Sequence, residues 1–193
     1  MIYLYYQEIN NMWYAAAIEN DKVFATAFSP KEEEILRHLL ENLPYNIPFQ
    51  VTEKSNQLLT ELLKALKAIF DGKNVSHSSF KVNMDHLPSY TRRVLNCTSL
   101  IPVGYLTTYG AIAKVAGGSP RSVGRAEASN PFPLLIPCHR VVRADFSLGG
   151  YGLGEKVKLE LLRREDRGYE ETRRLKTEGK ELTLFPVKYL RKN

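Results

Sequence analysis

Cysteine is scarce in this chain: Cys97 and Cys138 are the two in 193 residues. Only Cys138 has neighbours that suit a working thiol. It follows the proline-stiffened apolar run Pro131-Phe132-Pro133-Leu134-Leu135-Ile136-Pro137 and precedes His139 and Arg140. A cysteine attacks as its thiolate, and nearby positive charge or a hydrogen-bonded base lowers its pKa. Adjacent residues on a strand face opposite ways, so His139 meets Cys138 only if the backbone turns or a water bridges them. Two readings fit the residues: an activated nucleophile, or a buried structural cysteine beside a surface histidine. A disulfide between the cysteines is not expected in a reducing compartment. His38, His77, His86 and His139 lack ligand spacing, so neither a metal site nor a cofactor is predicted.

The elements around this run read as helical. Ser89 to Leu100 is one helix. Thr108 to Ala116 is another, capped by Thr107 or Thr108 and stopped by Gly117-Gly118. A third starts at Ser119-Pro120, with serine as N-cap and proline in the first turn, and Pro131 ends it. Two short helices across a glycine-containing turn make a helix-turn-helix candidate, although ordinary helical hairpins share the pattern. Arg121 and Arg125 lie one turn apart on the second helix and can face one phosphate backbone.

The N-terminal part reads as α/β. Runs 2–9, 12–18 and 22–28 are short, aromatic and β-branched, and Asn10-Asn11 and Asn20-Asp21 between them suit tight hairpin turns. Ser29-Pro30-Lys31-Glu32 predicts a helix start with Ser29 as N-cap and Glu32 closing a capping box, the helix running to about Asn42. A strand is expected at 49–53. Gln57 to Phe70 carries apolar residues at helical spacing and stops before Gly72. Residues 73–88 read as a linker with one short strand at 79–82. The predicted organisation is an α/β domain over 1–85, a mainly α domain with the helix-turn-helix and the cysteine loop over 86–168, and a basic extension over 169–193.

The net charge of +6 favours a polyanionic partner. No apolar run approaches the roughly 20 residues that span a bilayer. Met1 to Asn11 has neither a basic start nor a small-residue cleavage site, so a secretory signal is not expected. The chain reads as a cytoplasmic monomer, associated with the nucleoid in a prokaryote.

Ile136-Pro137-Cys138-His139-Arg140-Val141 resembles the active-site signature of the O6-alkylguanine-DNA alkyltransferases. Ile101-Pro102-Val103-Gly104, Thr108-Tyr109-Gly110-Ala111-Ile112-Ala113, Ser129-Asn130-Pro131, Gly149-Gly150-Tyr151 and Leu161-Leu162-Arg163-Arg164-Glu165 fall in that family's order. The resemblance covers about residues 90 to 168; residues 1–85 share only the outline of a variable N-terminal domain.

The resemblance implies single-turnover repair of duplex DNA containing O6-alkylguanine. Cys138 is then the acceptor, His139 its base through a water, and Glu165 the carboxylate that orients the histidine. Family spacing selects Glu165 over Glu160, which lies on another face of the same helix. Tyr109 donates toward the guanine ring and helps rotate the nucleotide out. Arg121 fills the gap left by the flipped base. Asn130 ties the recognition helix to the cysteine loop, and Tyr151 walls the pocket. Gly152 offers a backbone N–H to O6 where several relatives have serine. The carbonyls of Cys138 and Val141 accept from the exocyclic amine. The helix enters the minor groove, where readout is sequence-poor.

The chain departs from relatives that hold zinc in the N-terminal domain, having no cysteine before Cys97. The cysteine count also leaves no room for the cysteine-rich sensor domain of some bacterial relatives. The basic tail, with Arg173, Arg174, Lys176, Lys188, Arg191 and Lys192, reads as a surface element or a DNA-binding aid. Two other classes compete. Damage sensors of this kind lack the acceptor cysteine, which Cys138 argues against. A sequence-reading regulator has no use for Cys138, His139 and Glu165 together.

Overall fold

A computed structural model describes residues 1–75, 79–177 and 179–191. The chain divides into two units. The first comprises Met1–Ile69, Val75–Leu87 and Pro131–Leu135; the second comprises Phe70–Asn74, Pro88–Asn130 and Ile136–Asn193.

In the first unit, strands β1 (Ile2–Glu8), β2 (Trp13–Glu19) and β3 (Lys22–Ser29) form an antiparallel meander. Asn10, Asn11, Asn20 and Asp21 take φ of 53°, 61°, 48° and 60°. Asparagine and aspartate tolerate this left-handed region, and two such residues in a row match the twist of a hairpin. β4 (Phe49–Val51) adds to β1 in parallel, giving the order β3-β2-β1-β4.

Helix α1 (Glu32–Leu40) seats Ile35 and Leu39 in a core with Ile2, Leu4, Ala15, Ala17 and Phe24. It starts later than the sequence predicts. Lys31 is the N-cap, and the Ser29 hydroxyl accepts from the Lys31 N–H instead of closing a box with Glu32. β3 holds Ser29 in the sheet, so the residue is unavailable as a helix cap. Helix α2 spans Gln57–Phe70, with the Asn56 side chain accepting from the Leu59 N–H at 2.8 Å. Of the strand expected at 79–82, one parallel bridge from Val82 to Val23 is present. Ser76, His77 and Ser78, also assigned to the linker, lie outside the described residues. Residues 131–135 join this unit through Thr26, whose N–H and hydroxyl donate to the carbonyls of Pro131 and Pro133.

The second unit is richer in sheet than the sequence predicts. Helices α3 (Ser89–Ser99), α4 (Tyr109–Ala116), α5 (Pro120–Ala128) and α6 (Glu155–Glu165) accompany a four-stranded sheet of order β6-β5-β8-β7. Its strands are β5 (Tyr105–Thr108), β6 (Val141–Val142), β7 (Arg173–Thr177) and β8 (Lys180–Pro186). The separate basic extension is therefore corrected. β7 and β8 form a hairpin that pairs with β5, and Leu182 and Leu184 are fully buried in a core with Ile112, Val123 and Val141. Arg173 lies over the rings of Tyr105 and Tyr169. The alternation of polar and apolar residues over 181–184, Glu-Leu-Thr-Leu, carried this signal, masked by the basic composition.

Thr108 caps α4 through its hydroxyl, and Ser119 caps α5 with a reciprocal bond to Ser122. The turn between them is held by Tyr90, whose hydroxyl meets the Gly117 carbonyl and the Ser122 hydroxyl. Gly118 has φ of 82°, and a Cβ there would sit 2.5 Å from the Tyr90 hydroxyl. Only glycine fits.

Candidate active site

Cys138, His139 and Arg140 form a single 3-10 turn between the proline run and β6. The strand alternation assumed for adjacent residues therefore does not apply here. Neither cysteine is in a disulfide, and both are buried. Cys97 lies in the α3 core.

His139 is fully buried, and its Nε2 lies 2.9 Å from Glu165 Oε1. Arg140, also fully buried, forks the same carboxylate, with Nε to Oε2 and Nη2 to Oε1 both at 2.8 Å. Its third nitrogen donates to the Ile101 carbonyl. Burial raises the Glu165 pKa, but the charges of His139 and Arg140 and their hydrogen bonds outweigh it and bring it down to about 2. An ionised Glu165 accepts, so Nε2 carries the imidazole proton and Nδ1 the lone pair. Nδ1 is buried without a hydrogen-bond partner among the described residues. Burial lowers the His139 pKa despite the carboxylate, which keeps the ring neutral. A neutral imidazole with a free lone pair is a base.

Around the thiol the structure departs from the expected activation by positive charge. Burial pushes Cys138 up to about 12, and the charge of Glu127 pushes the same way. A hydrogen bond from the Asn130 side chain and the charge of Lys158 oppose this without cancelling it. The Arg140 charge is committed to Glu165. The resting group is a neutral thiol that needs a base to react.

Asn130 also donates to the Ile136 carbonyl at 3.0 Å, bracketing the excursion of residues 131–135. Lys158 is fully buried; its Nζ donates to the carbonyls of Val141 at 2.6 Å and Gly150 at 3.3 Å and lies 5.7 Å from the Tyr109 ring centroid. Burial brings its pKa down to about 8. Tyr109 opens α4, and a Cβ on Gly149, at φ of 71°, would sit 3.0 Å from its ring. Burial, then Glu127 and Cys138, push the Tyr109 hydroxyl up to about 12. The Tyr151 hydroxyl is buried without a hydrogen-bond partner among the described residues, and its pKa is raised by burial, then by Cys138 and Glu165.

A family model described as the DNA-binding domain of 6-O-methylguanine DNA methyltransferase matches residues 89–167. A methylated-DNA–protein-cysteine methyltransferase of Methanothermobacter thermautotrophicus is 44% identical over 107 residues, 55% of this chain and 61% of that one. The match therefore spans less than two thirds of that relative. A second protein of the same name, from Methanocaldococcus vulcanius, is 33% identical over 163 residues, 82% of this chain and 94% of the relative. The chain belongs to the methylated-DNA–protein-cysteine methyltransferase family. Its fold agrees: a solved O6-methylguanine DNA methyltransferase of Methanococcus jannaschii superimposes with a TM-score of 0.65 at 26% identity, over 89% of this chain and 99% of the other.

In this family member, Cys138, His139, Glu165, Asn130, Tyr109, Tyr151 and the Val141 carbonyl gather in one place. The Val141 carbonyl already accepts from Lys158, and that of Cys138 from the Val141 N–H, which leaves each one further lone pair. Arg121 and Arg125 stay on the exposed face of α5, away from the buried cluster. Gly152 is exposed with open space where a Cβ would go. Glu160 pairs with Arg164 on the surface, as its face predicts. Sequence reasoning gave no role to Lys158 or Glu127, and took Arg140 only as positive charge beside the thiol. Lys158 belongs to the buried set Lys158, Leu161, Leu162 and Glu165 of α6, and Glu127 to Val123, Ala126 and Glu127 of α5. Charged residues at core positions of a helical stripe were the available signal.

Proposed function

We propose that this protein repairs alkylated duplex DNA by single-turnover transfer of an alkyl group from guanine O6 to Cys138. The observation that carries the reading is the buried thiol beside a neutral histidine whose other nitrogen is fixed by Glu165 and Arg140. Relatives that share this stretch bear the name of that activity.

His139 Nδ1 accepts the Cys138 proton through a water. The sulfur forms a bond to the alkyl carbon, and the carbon–O6 bond breaks. Its electron pair stays on the guanine, where the Tyr109 hydroxyl donates to the ring as charge builds. The Gly152 N–H meets O6, the free lone pairs of the Cys138 and Val141 carbonyls accept from the exocyclic amine, and Tyr151 lines the pocket. The thioether cannot release its alkyl group, so each molecule reacts once.

A buried thiol cannot reach O6 inside a duplex, so the nucleotide must leave the stack. α5 enters the minor groove, Arg121 takes the vacated place and Arg125 contacts phosphate. No helix among the described residues is long and apolar enough to cross a membrane.

The test is the mass of the intact protein after incubation with duplex containing O6-methylguanine. One added methyl group per chain, mapped to Cys138, is the expected result. No mass gain, an adduct on Cys97, or product exceeding one equivalent of protein would overturn the reading.

A further inference from the structure

Buried carboxylates are rare, and the described residues of the second unit include two. Glu165 is saturated by partners. Glu127, on α5, is not. Its Oε1 accepts from the Thr98 hydroxyl of α3 at 2.5 Å, while Oε2 is buried without a hydrogen-bond partner among the described residues. Its exposure is 7%, and no ion pair reaches it among the described residues. A buried carboxyl half-satisfied in this way holds a proton readily, because the free oxygen has nothing to stabilise its charge. Burial, weakly countered by Thr98 and Lys158, raises its pKa to about 7.

Glu127 lies one turn before Asn130, whose N–H donates to the Glu127 carbonyl at 3.1 Å and whose side chain holds the Ile136 carbonyl two residues before Cys138. Lys158 of α6 feels the Glu127 charge, as do Tyr109 at the start of α4 and Cys138 of the 3-10 turn. On the thiol, Glu127 acts next after burial, and Lys158 opposes it more weakly. When Glu127 is ionised, a thiolate at Cys138 would be a second negative charge among buried groups. When Glu127 is protonated, that repulsion vanishes.

We propose that Glu127 is a positioning residue for alkyl transfer, whose carboxyl acts through charge: ionised, it holds Cys138 as the thiol, and protonated, it lets the thiolate form. This inference rests on the proposed role of Cys138. It places a brake on the recognition helix itself, on the same element as Arg121. A second negative charge near the thiol costs about tenfold in thiolate for each pKa unit it adds.

The test compares wild type with Glu127→Gln and Glu127→Met, full chain, across about pH 5.5 to 8.5. Two probes are used: free O6-benzylguanine, and iodoacetamide with the adduct mapped to Cys138. Near the acid end Glu127 is protonated in wild type, so variants and wild type should react alike. Near pH 8 the variants should react about tenfold faster. Lys158 titrates earlier once its partner is gone, which trims the gain at the alkaline end without reversing it. A ratio independent of pH, or variants slower throughout, would overturn the proposal. If neither variant folds, carboxyl-carbon NMR of the wild type decides. A glutamate resonance titrating near pH 7 sustains the proposal, and its absence overturns it. Failure of the transfer reading is distinguishable, since benzyl transfer would then be absent while iodoacetamide still reports the pH profile.

Discussion

The two units bury different things. In the first, the buried polar side chains among the described residues are Thr26 and Ser29, and the rest of the core is apolar. In the second, Glu127, Glu165, His139, Arg140 and Lys158 are all buried. Burying a charge is costly unless it is paired, and a paired charge seldom stabilises more than an apolar replacement would. The first unit is built as a stability optimum would be built. The second tolerates an expensive interior and needs an exact set of partners to do so. The comparison separates two kinds of buried residue: those whose loss weakens the fold alone, and those whose loss also disarms the thiol.

Cys138→Ala gives the largest expected effect. Transfer should vanish completely, while thermal stability and binding to damaged duplex stay close to wild type; a residual adduct elsewhere by peptide mapping would break the assignment. Glu165→Gln should come next, because it leaves the Arg140 charge buried without its counter-ion. A loss of about 3–5 kcal/mol in denaturant unfolding is expected, together with slower reaction of both duplex and free base. Wild type should show the matching pH dependence. The folded pKa of Glu165, about 2, is depressed. Its contribution is therefore present above the ordinary carboxylate pKa and falls away by about 3 kcal/mol as pH drops from about 4.5 toward 2. A Glu165→Gln protein whose acid unfolding limb matches wild type would contradict this.

Leu39→Ala, in the first unit, should cost a similar 2–5 kcal/mol through its cavity. Its rate per folded molecule should not change, and a rate loss at constant folded fraction would blur the distinction between the units. Glu127→Gln should have an effect of opposite sign. Its raised pKa makes ionisation a cost that appears as pH rises from about 4.5 through about 7, so the variant should gain up to about 3 kcal/mol near pH 8 and nothing near pH 4. Arg121→Ala should leave stability within about 0.5 kcal/mol, as expected of an exposed side chain. It should slow duplex repair and spare free O6-benzylguanine. Equal losses on both substrates would show that it is not a flipping element.

Local signals made much of this molecule legible. The asparagine turns place β1 to β3, the apolar period of 57–70 gives α2 its full length, and the caps at Thr108 and Ser119 set both helices of the helix-turn-helix. Ser29 misled because a hydroxyl before Pro30 looks like a cap whether or not the sheet already holds it. β8 has an adjacent hairpin partner in β7, but the basic residues there mask the short apolar pattern, and its other partner, β5, lies about 80 residues back, beyond any local window. At the site, the signature pointed to Cys138, His139 and Glu165. It did not show that Arg140 spends its charge on Glu165 instead of on the thiol. That depends on where a guanidinium lands in three dimensions, and the sequence order Cys-His-Arg invites the opposite conclusion.

Residues 131–135 carry a consequence for how this chain can be cut and rejoined. They come late in the sequence, immediately before the reactive turn, yet their carbonyls are received by Thr26 and they count with the first unit. Phe132, Leu134 and Leu135 are buried there. A break in the linker near residue 85 would give a first fragment missing a piece of its interior. The second fragment would carry that piece as a greasy loop with no socket. Recombination that exchanges the N-terminal half must therefore bring a compatible socket with it, which ties the otherwise free drift of that half to five residues next to the thiol.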